Sequence, residues 1–155
     1  MYAFYNASSL TGVILPDQLK VIGILAFRNT AITEIVIPNS VVTIDNYAFE
    51  MCYDLEVVSF ETGSSLQTLG IGVFSRTGVI DIILPSSVTS IGNYCFQINA
   101  SLLSVYIPES VIYVGSNLFS NSVNAVIYVQ SAVQPTLWNS DWNSSGNTVV
   151  WGYLI

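Results

Sequence analysis

The chain has 155 residues, of which 52% are apolar and only 8% are charged, and its formal net charge is −7. This length suits one domain, or one short array of repeats that share a core. Three basic residues are too few to neutralise a run of phosphates, and no stretch approaches the ~20 uninterrupted apolar residues of a membrane-spanning helix, so neither nucleic-acid binding nor membrane insertion is expected.

A fixed repeat organises the chain from its first residues. One phenylalanine closes each unit, and successive phenylalanines are 23, 22, 25, 22 and 23 residues apart. They are Phe4, Phe27, Phe49, Phe74, Phe96 and Phe119. A period of this length predicts a solenoid of stacked coils. Residues 1–9 match only the end of a unit, and five full units follow at 10–31, 32–54, 55–78, 79–101 and 102–124.

Each unit opens with a short strand. An apolar residue is followed by two variable positions and then by apolar-x-apolar-Pro, as in Ile35-Val36-Ile37-Pro38. The alternation and the β-branched residues favour a half-buried strand. Proline ends the pairing because it has no N–H to donate. Stacked units should therefore build a parallel sheet.

The rest of each unit returns the chain to the next strand. An apolar pair such as Val41 and Ile44 marks the return limb. Glycine or aspartate, a mostly small apolar residue and the closing phenylalanine follow, which predicts a tight, 3₁₀-like turn with the ring inside. In the third unit, residues 60–66 replace the proline step and add two residues. We expect an exposed loop there, with its tip at 61–65 as the most flexible point.

Residues 125–155 break the repeat and contain the three tryptophans of the chain, Trp138, Trp142 and Trp151. Because the last coil has no following neighbour, we expect this segment to cap its apolar end. No comparable element precedes the first coil, and no signal-peptide pattern is visible. Two explanations stay open: the sequence is a piece of a longer protein, which we favour, or the bare end pairs with another chain.

Two stretches carry a family signature. Residues 32–44 read ITEIVIPNSVVTI, and residues 88–96 read VTSIGNYCF. They closely resemble the BspA-like, or Treponema pallidum type, leucine-rich-repeat proteins over residues 2–124, and the tail resembles the C-terminal cap of bacterial members. The resemblance implies a leucine-rich-repeat solenoid, a β-rich horseshoe of the α/β class by convention, with a parallel concave sheet. It also implies a cell-surface or secreted adhesion protein that binds host extracellular proteins.

Few residues could support catalysis. The chain has no histidine, which excludes histidine-based acid–base catalysis, triads and metal sites, and we expect neither enzymatic activity nor a cofactor. Cys52 and Cys95 lie two units apart, about 10 Å if each coil rises ~4.8 Å. That separation exceeds the reach of a disulfide, so both are interpreted as buried thiols.

The carboxylates offer one candidate cluster. Glu34, Glu56 and Asp81 are expected near one another on the exposed strand face. A weak calcium site is one interpretation, and a solvated face is the one we favour, so no metal site is assigned. Three N-glycosylation sequons also occur, and chance explains them in so Asn- and Ser-rich a chain. They begin at Asn6, Asn99 and Asn143.

The variable strand positions give the strongest functional signal. Stacking should align them in two columns on the presumed concave sheet. The first column is Ile14, Val36, Ser59, Ile83, Tyr106 and Tyr128. The second column is Gly12, Glu34, Val57, Asp81, Ser104 and Val126. Together they form an apolar and aromatic strip dotted with acids.

Such a strip is typical of a docking surface, although β-forming residues that only satisfy strand packing would look similar. We predict a non-enzymatic module that binds a protein or a glycan through this face. The alternative is a structural protein that assembles through its N-terminal end.

Overall fold

The computed structural model describes residues 1–154, so that Ile155, the last residue of the predicted cap, lies outside the described residues. The described residues form a parallel β-solenoid of about six coils. The strands are β1 (Val21–Ile22), β2 (Glu34–Ile37), β3 (Thr43–Ile44), β4 (Val57–Phe60), β5 (Thr68–Leu69), β6 (Asp81–Ile83), β7 (Ser90–Ile91), β8 (Ser104–Ile107), β9 (Tyr113–Val114), β10 (Val126–Val129) and β11 (Thr148–Trp151).

The strands form two parallel sheets. One sheet has six strands in the order β11-β10-β8-β6-β4-β2, and the other has five in the order β1-β3-β5-β7-β9. Pairing runs straight across from coil to coil, so that Ile35 lies opposite Val58 and Ile82 opposite Val105. The predicted stacked coils and parallel sheet are therefore confirmed, and the repeat period fixes which residues become neighbours.

The strands form where the apolar positions alternate. In β2, Ile35 and Ile37 are buried, while Glu34 and Val36 point outward. Burial of one face of each strand against the closing phenylalanines stabilises the coil, because every coil contributes its apolar side to one shared core. The five-stranded sheet uses two-residue strands in the same way, and Ile44 of β3 is fully buried.

The predicted tight turn takes the form of two consecutive hydrogen-bonded turns rather than a run of 3₁₀ helix. In the first full unit, residues 10–31, the Ala26 N–H donates to the Gly23 carbonyl at 3.1 Å, and the Arg28 N–H donates to the Leu25 carbonyl at 3.2 Å. Leu25 has a φ of 57°, a left-handed conformation that reorients the following peptide groups. The N–H groups between these turns consequently donate to the next coil. The Phe27 N–H, for example, donates to the Ala48 carbonyl at 2.8 Å.

The closing phenylalanines form one continuous stack. Neighbouring ring centroids are 5.2–5.9 Å apart, and their planes are within 14° of parallel. From Phe27 to Phe119 the rings are buried, whereas Phe4 at the N-terminal end is 40% exposed. The stack therefore runs through the whole array and ends uncovered at the first coil.

The opposite end of the stack is covered by the tryptophans. The Trp142 ring lies 6.1 Å from the Phe119 ring, and the Trp138 indole N–H donates to the Val111 carbonyl at 3.1 Å. Two of the three tryptophans are buried, and Trp151 packs against them. The first strand of the predicted cap, β10, pairs in full register with β8, so the regular sheet continues beyond residue 124.

Candidate functional site

The six-stranded sheet carries the two predicted columns on its outer face. Val36 lies opposite Ser59, Ile83 lies opposite Tyr106, and Tyr106 lies opposite Tyr128. Ile14 precedes this column in the first full unit and is 97% exposed. Residues 10–16 form no strand, so the strand predicted at the start of that unit is not present and Ile14 lies beyond the edge strand β2. Val36 and Ile83 are each more than half exposed. The outer face therefore presents a strip of apolar and aromatic side chains that Ser59 interrupts and in which Tyr106 and Tyr128 are partly exposed. The role of this strip in binding stays a prediction.

The second column supplies the acidic groups of the strip. Glu34 lies opposite Val57, and Val57 lies opposite Asp81. The column continues through Ser104, Val126 and, in β11, Thr148. The Ser104 hydroxyl donates to Asp81 Oδ1 at 2.5 Å, which fixes the orientation of that carboxylate. Gly12, at the same position of the first coil, is exposed and adds no side chain.

The interpretation of Glu34, Glu56 and Asp81 as a calcium site is not supported. Among residues 1–154, no group of three histidine, cysteine or carboxylate side chains could hold a metal ion. The physical reason is that Val57 stands between Glu34 and Asp81 in the column, which separates the two acids by about 10 Å at ~4.8 Å per strand.

Three tyrosines form a cluster at the C-terminal end of the strip. The rings of Tyr106 and Tyr128 are stacked, with centroids 4.6 Å apart and planes 8° from parallel. Tyr153, which follows β11, is tilted against both rings at 5.5 and 4.8 Å. The sequence columns missed Tyr153 because it lies outside the repeat. Tyr153 therefore packs against both members of the stacked pair.

The inserted loop of the third unit borders two grooves on the same face. The larger groove, of about 530 Å³, is lined by residues of β4, β6 and the loop, including Phe60, Glu61, Asp81 and Ile83. The smaller groove, of about 230 Å³, lies toward the first coil and also includes Glu61. The sequence predicted an exposed loop but no groove, and the insertion in a single unit was the one available signal.

The loop is held to its neighbouring coil. Glu61 Oε2 accepts from the Asn39 N–H at 3.0 Å, and the Glu61 N–H donates to the Ile37 carbonyl at 3.1 Å. The Ser65 N–H donates to the Asn39 carbonyl at 2.9 Å, and Gly63 provides the turn with a φ of 74°. Flexibility at this point stays a prediction.

Both cysteines are buried free thiols, as their spacing predicted. Burial raises the pKa of the Cys95 thiol to about 12 and also raises the pKa of the Cys52 thiol. Because the thiolate is the nucleophilic form, both side chains are poorly suited to chemistry at neutral pH. Cys52 instead donates to the Phe27 carbonyl at 3.0 Å.

A glycan on Asn99 is incompatible with the fold. Asn99 is 1% exposed, and its side-chain amide donates to the Phe74 carbonyl at 2.8 Å. Asn6 is exposed, and the amide of Asn143 is part-buried against the Asn147 carbonyl. In the part of the chain that the structure describes, no helix has the length and apolar character needed to cross a bilayer.

The sequence comparisons define the class of protein. Six copies of the BspA type leucine rich repeat region match residues 1–131, and the chain therefore belongs to the BspA-type leucine-rich-repeat family. Repeats of this family generally mediate protein interactions and are generally not enzymes. No curated protein matches the chain.

Two solved structures are similar. The pneumococcal vaccine antigen PcpA matches with a TM-score of 0.58 and 20% sequence identity, over 77% of this chain and 39% of that chain. A leucine-rich repeat protein from Bacteroides ovatus matches with a TM-score of 0.41 and 27% identity, over 81% of this chain and 45% of that chain. The chain thus spans less than half the length of either protein, and the first likeness supports the leucine-rich-repeat solenoid fold.

Proposed function

We propose that this chain is a non-enzymatic recognition module of a cell-surface or secreted protein and that it binds a protein partner through the outer face of the six-stranded sheet. The observation that carries the proposal is the strip of exposed apolar and partly exposed aromatic side chains on that face. Family membership supports protein interaction, and the similar pneumococcal protein is described as a vaccine antigen.

The two sheets provide an internal comparison. The five-stranded sheet presents the hydroxyl side chains Thr43, Thr68 and Ser90 on its middle strands, and its edge strands carry Val21 and Tyr113 at the same outer position. If strand packing alone set the composition of outer faces, the six-stranded sheet could use the same residues. On its middle strands it carries one serine, Ser59, followed by Ile83, Tyr106 and Tyr128, and tyrosine is enriched in protein interfaces.

A binding experiment with alanine variants tests the proposal. The purified chain is passed over immobilised extracellular-matrix proteins, with neutral and acidic glycans as parallel surfaces. Tyr106→Ala and Tyr128→Ala should each weaken binding about tenfold, or about 1.4 kcal/mol. Tyr113→Ala is the matched control, because Tyr113 is an exposed tyrosine of the five-stranded sheet.

Unchanged affinity of both sheet-face variants, with folding verified by their urea unfolding midpoints, would refute the docking face. If the chain binds only the glycan surfaces, the sheet face remains the binding site, but the proposal of a protein partner is wrong and the ligand is a carbohydrate. An equal loss of affinity for Tyr113→Ala would mean that removal of any exposed tyrosine weakens binding, so the effect could not be assigned to the six-stranded sheet.

Self-association through the N-terminal end is the alternative function. The first coil leaves Phe4 and Val21 exposed beside an apolar cavity of about 220 Å³, and an exposed apolar end favours assembly. Light scattering over a concentration series separates the two functions. A constant monomer mass supports the recognition module, whereas oligomers that Val21→Lys dissociates support assembly.

A further inference from the structure

The inserted loop of residues 61–65 is not needed to close the third coil. The second, fourth and fifth units pass the same point with a proline, and their strands pair in the same sheet. The loop is nevertheless hydrogen-bonded to the neighbouring coil, through Glu61 and Ser65 to Ile37 and Asn39. The repeat fold therefore explains how the loop is held but not why it is present.

What the loop adds is a wall beside the sheet face. Its residues line the groove of about 530 Å³ together with the exposed Ile83 and the half-buried Phe60. The strip alone would be an open surface along the strands. With the loop in place, a side chain that lies on Ile83 is enclosed on one flank as well.

The charges around the grooves have one sign. Glu61 and Asp81 line the larger groove, and Asp17 and Glu34 line the smaller one, whereas neither groove is lined by lysine or arginine. Asp81 is held in place by Ser104, and Glu61 by the Asn39 amide. A side chain with an apolar stem and a positively charged head would contact both the apolar residues of the larger groove, Phe60 and Ile83, and its carboxylates.

We propose that the groove between the inserted loop and β6 is a recognition subsite for an arginine or lysine side chain of an extended polypeptide. The aliphatic stem lies against Ile83 and Phe60, and the cationic head meets the Glu61 carboxylate at the loop. Asp81, which pairs with Val57 four residues before Glu61, adds negative charge at the other end of the same groove. The proposal rests on the proposed function and names the chemistry of its partner: a polypeptide segment with basic residues among apolar ones. Glu34, one of the acids that line the smaller groove, is two strands away from β6 and serves a second basic residue.

Other occupants fit the groove less well. A neutral glycan gains nothing from the acidic rim, and an acidic glycan is repelled by it. A divalent cation would need three or more close ligands, and residues 1–154 contain no such group of carboxylates. Charge complementarity therefore selects a basic peptide.

Fluorescence anisotropy with a defined probe tests the subsite. The probe is a labelled nine-residue peptide that alternates arginine and valine, with citrulline and glutamate versions of the same length as comparisons. Glu61→Gln and Asp81→Asn each keep a carbonyl oxygen to accept the existing hydrogen bond while removing the charge. Asp54→Asn is the matched control, because Asp54 is an exposed acid that lines neither groove.

The expected result is binding of the arginine peptide that is weakened at least fivefold by either groove variant and unchanged by Asp54→Asn. Binding should also be lost with the citrulline or glutamate peptide and in 1 M salt, where the screening length is about 3 Å. Equal weakening by Asp54→Asn would overturn the proposal, since net charge alone would then explain the binding. Equal binding of the citrulline peptide, or displacement by a neutral oligosaccharide, would overturn it too.

Failure of this subsite is distinguishable from failure of the sheet face. If a matrix protein depends on Tyr106 and Tyr128 but is insensitive to the Glu61 and Asp81 variants, the docking face stands and the basic-side-chain subsite is wrong. If neither pair affects any bound protein, the docking face itself is wrong.

Discussion

At the scale of single residues, the left-handed positions of the turn segment are the least expected feature. Two positions in each turn segment, four residues apart, have φ between 53° and 62°. Asparagine and glycine tolerate this conformation, but some coils place larger side chains there. The second position is Asn6, Asn29, Met51, Arg76, Ile98 and Asn121 along the array.

Ile98 should be a strained member of this series, because β-branched side chains are disfavoured at positive φ. Replacement by asparagine, which stands at the same position in three other coils, should raise the free energy of unfolding by about 1 kcal/mol. The urea unfolding midpoint measures the change. Ile112→Asn is the control, since Ile112 is also exposed but has no positive φ, and it should not stabilise. A lower midpoint for Ile98→Asn would contradict the strain argument.

A buried polar series shows what residue patterns can and cannot predict. Thr30, Cys52, Thr77, Asn99 and Ser122 each stand three positions after a phenylalanine, and their side chains donate to phenylalanine carbonyls. The sequence predicted burial for Cys52 but gave no common role to the series. The five side chains make the same kind of hydrogen bond although they are of four residue types. The residue types at this repeat position therefore do not reveal the shared hydrogen bond.

At the scale of elements, the phenylalanine stack connects the coils. Phe74 has neighbours on both sides, with ring centroids at 5.6 and 5.9 Å, and is fully buried. Phe74→Ala should lower the free energy of unfolding by roughly 3–5 kcal/mol, because it removes a buried ring and leaves a cavity between coils. Phe4→Ala should cost far less, because Phe4 is partly exposed and has one neighbour in the stack.

Chemical denaturation of the two variants measures this difference. A loss below 1 kcal/mol for Phe74→Ala would contradict a shared stack as the main link between coils. Similar losses for the two variants would mean that the rings act within their own coils rather than as one series.

The strands of the repeats in the six-stranded sheet were predictable from sequence, except in the first full unit, whereas the second sheet was predicted only as a return limb and the turn segment only in part. Proline and period-two alternation mark the strand ends, as at Pro38. The turn forms its own ladder from coil to coil, with N–H groups donating toward the C-terminal end, as from Phe49 to the Val73 carbonyl at 3.1 Å. Sequence reasoning missed this ladder because Leu25 and Tyr47 adopt positive φ, and neither residue type signals it.

At the scale of the whole molecule, the sheet-face strip follows from the repeat, and the groove does not. Straight stacking brings equivalent positions together, so the column that contains Val36 and Tyr128 could be predicted from the repeat spacing alone. The groove depends on how the inserted loop folds back onto Asn39, and the tyrosine cluster depends on Tyr153 from outside the repeat. Repetition predicts periodic features, and departures from it need the three-dimensional structure.

The central claim is that a protein partner covers the outer face of the six-stranded sheet. Hydroxyl-radical footprinting of the complex tests it most directly, because mass spectrometry reports the oxidation of exposed side chains on all surfaces together. Ile83, Tyr106 and Tyr128 should be protected by the partner, while Tyr113 on the other sheet keeps its oxidation rate. Protection of Tyr113, or protection confined to Phe4 at the N-terminal end, would contradict it.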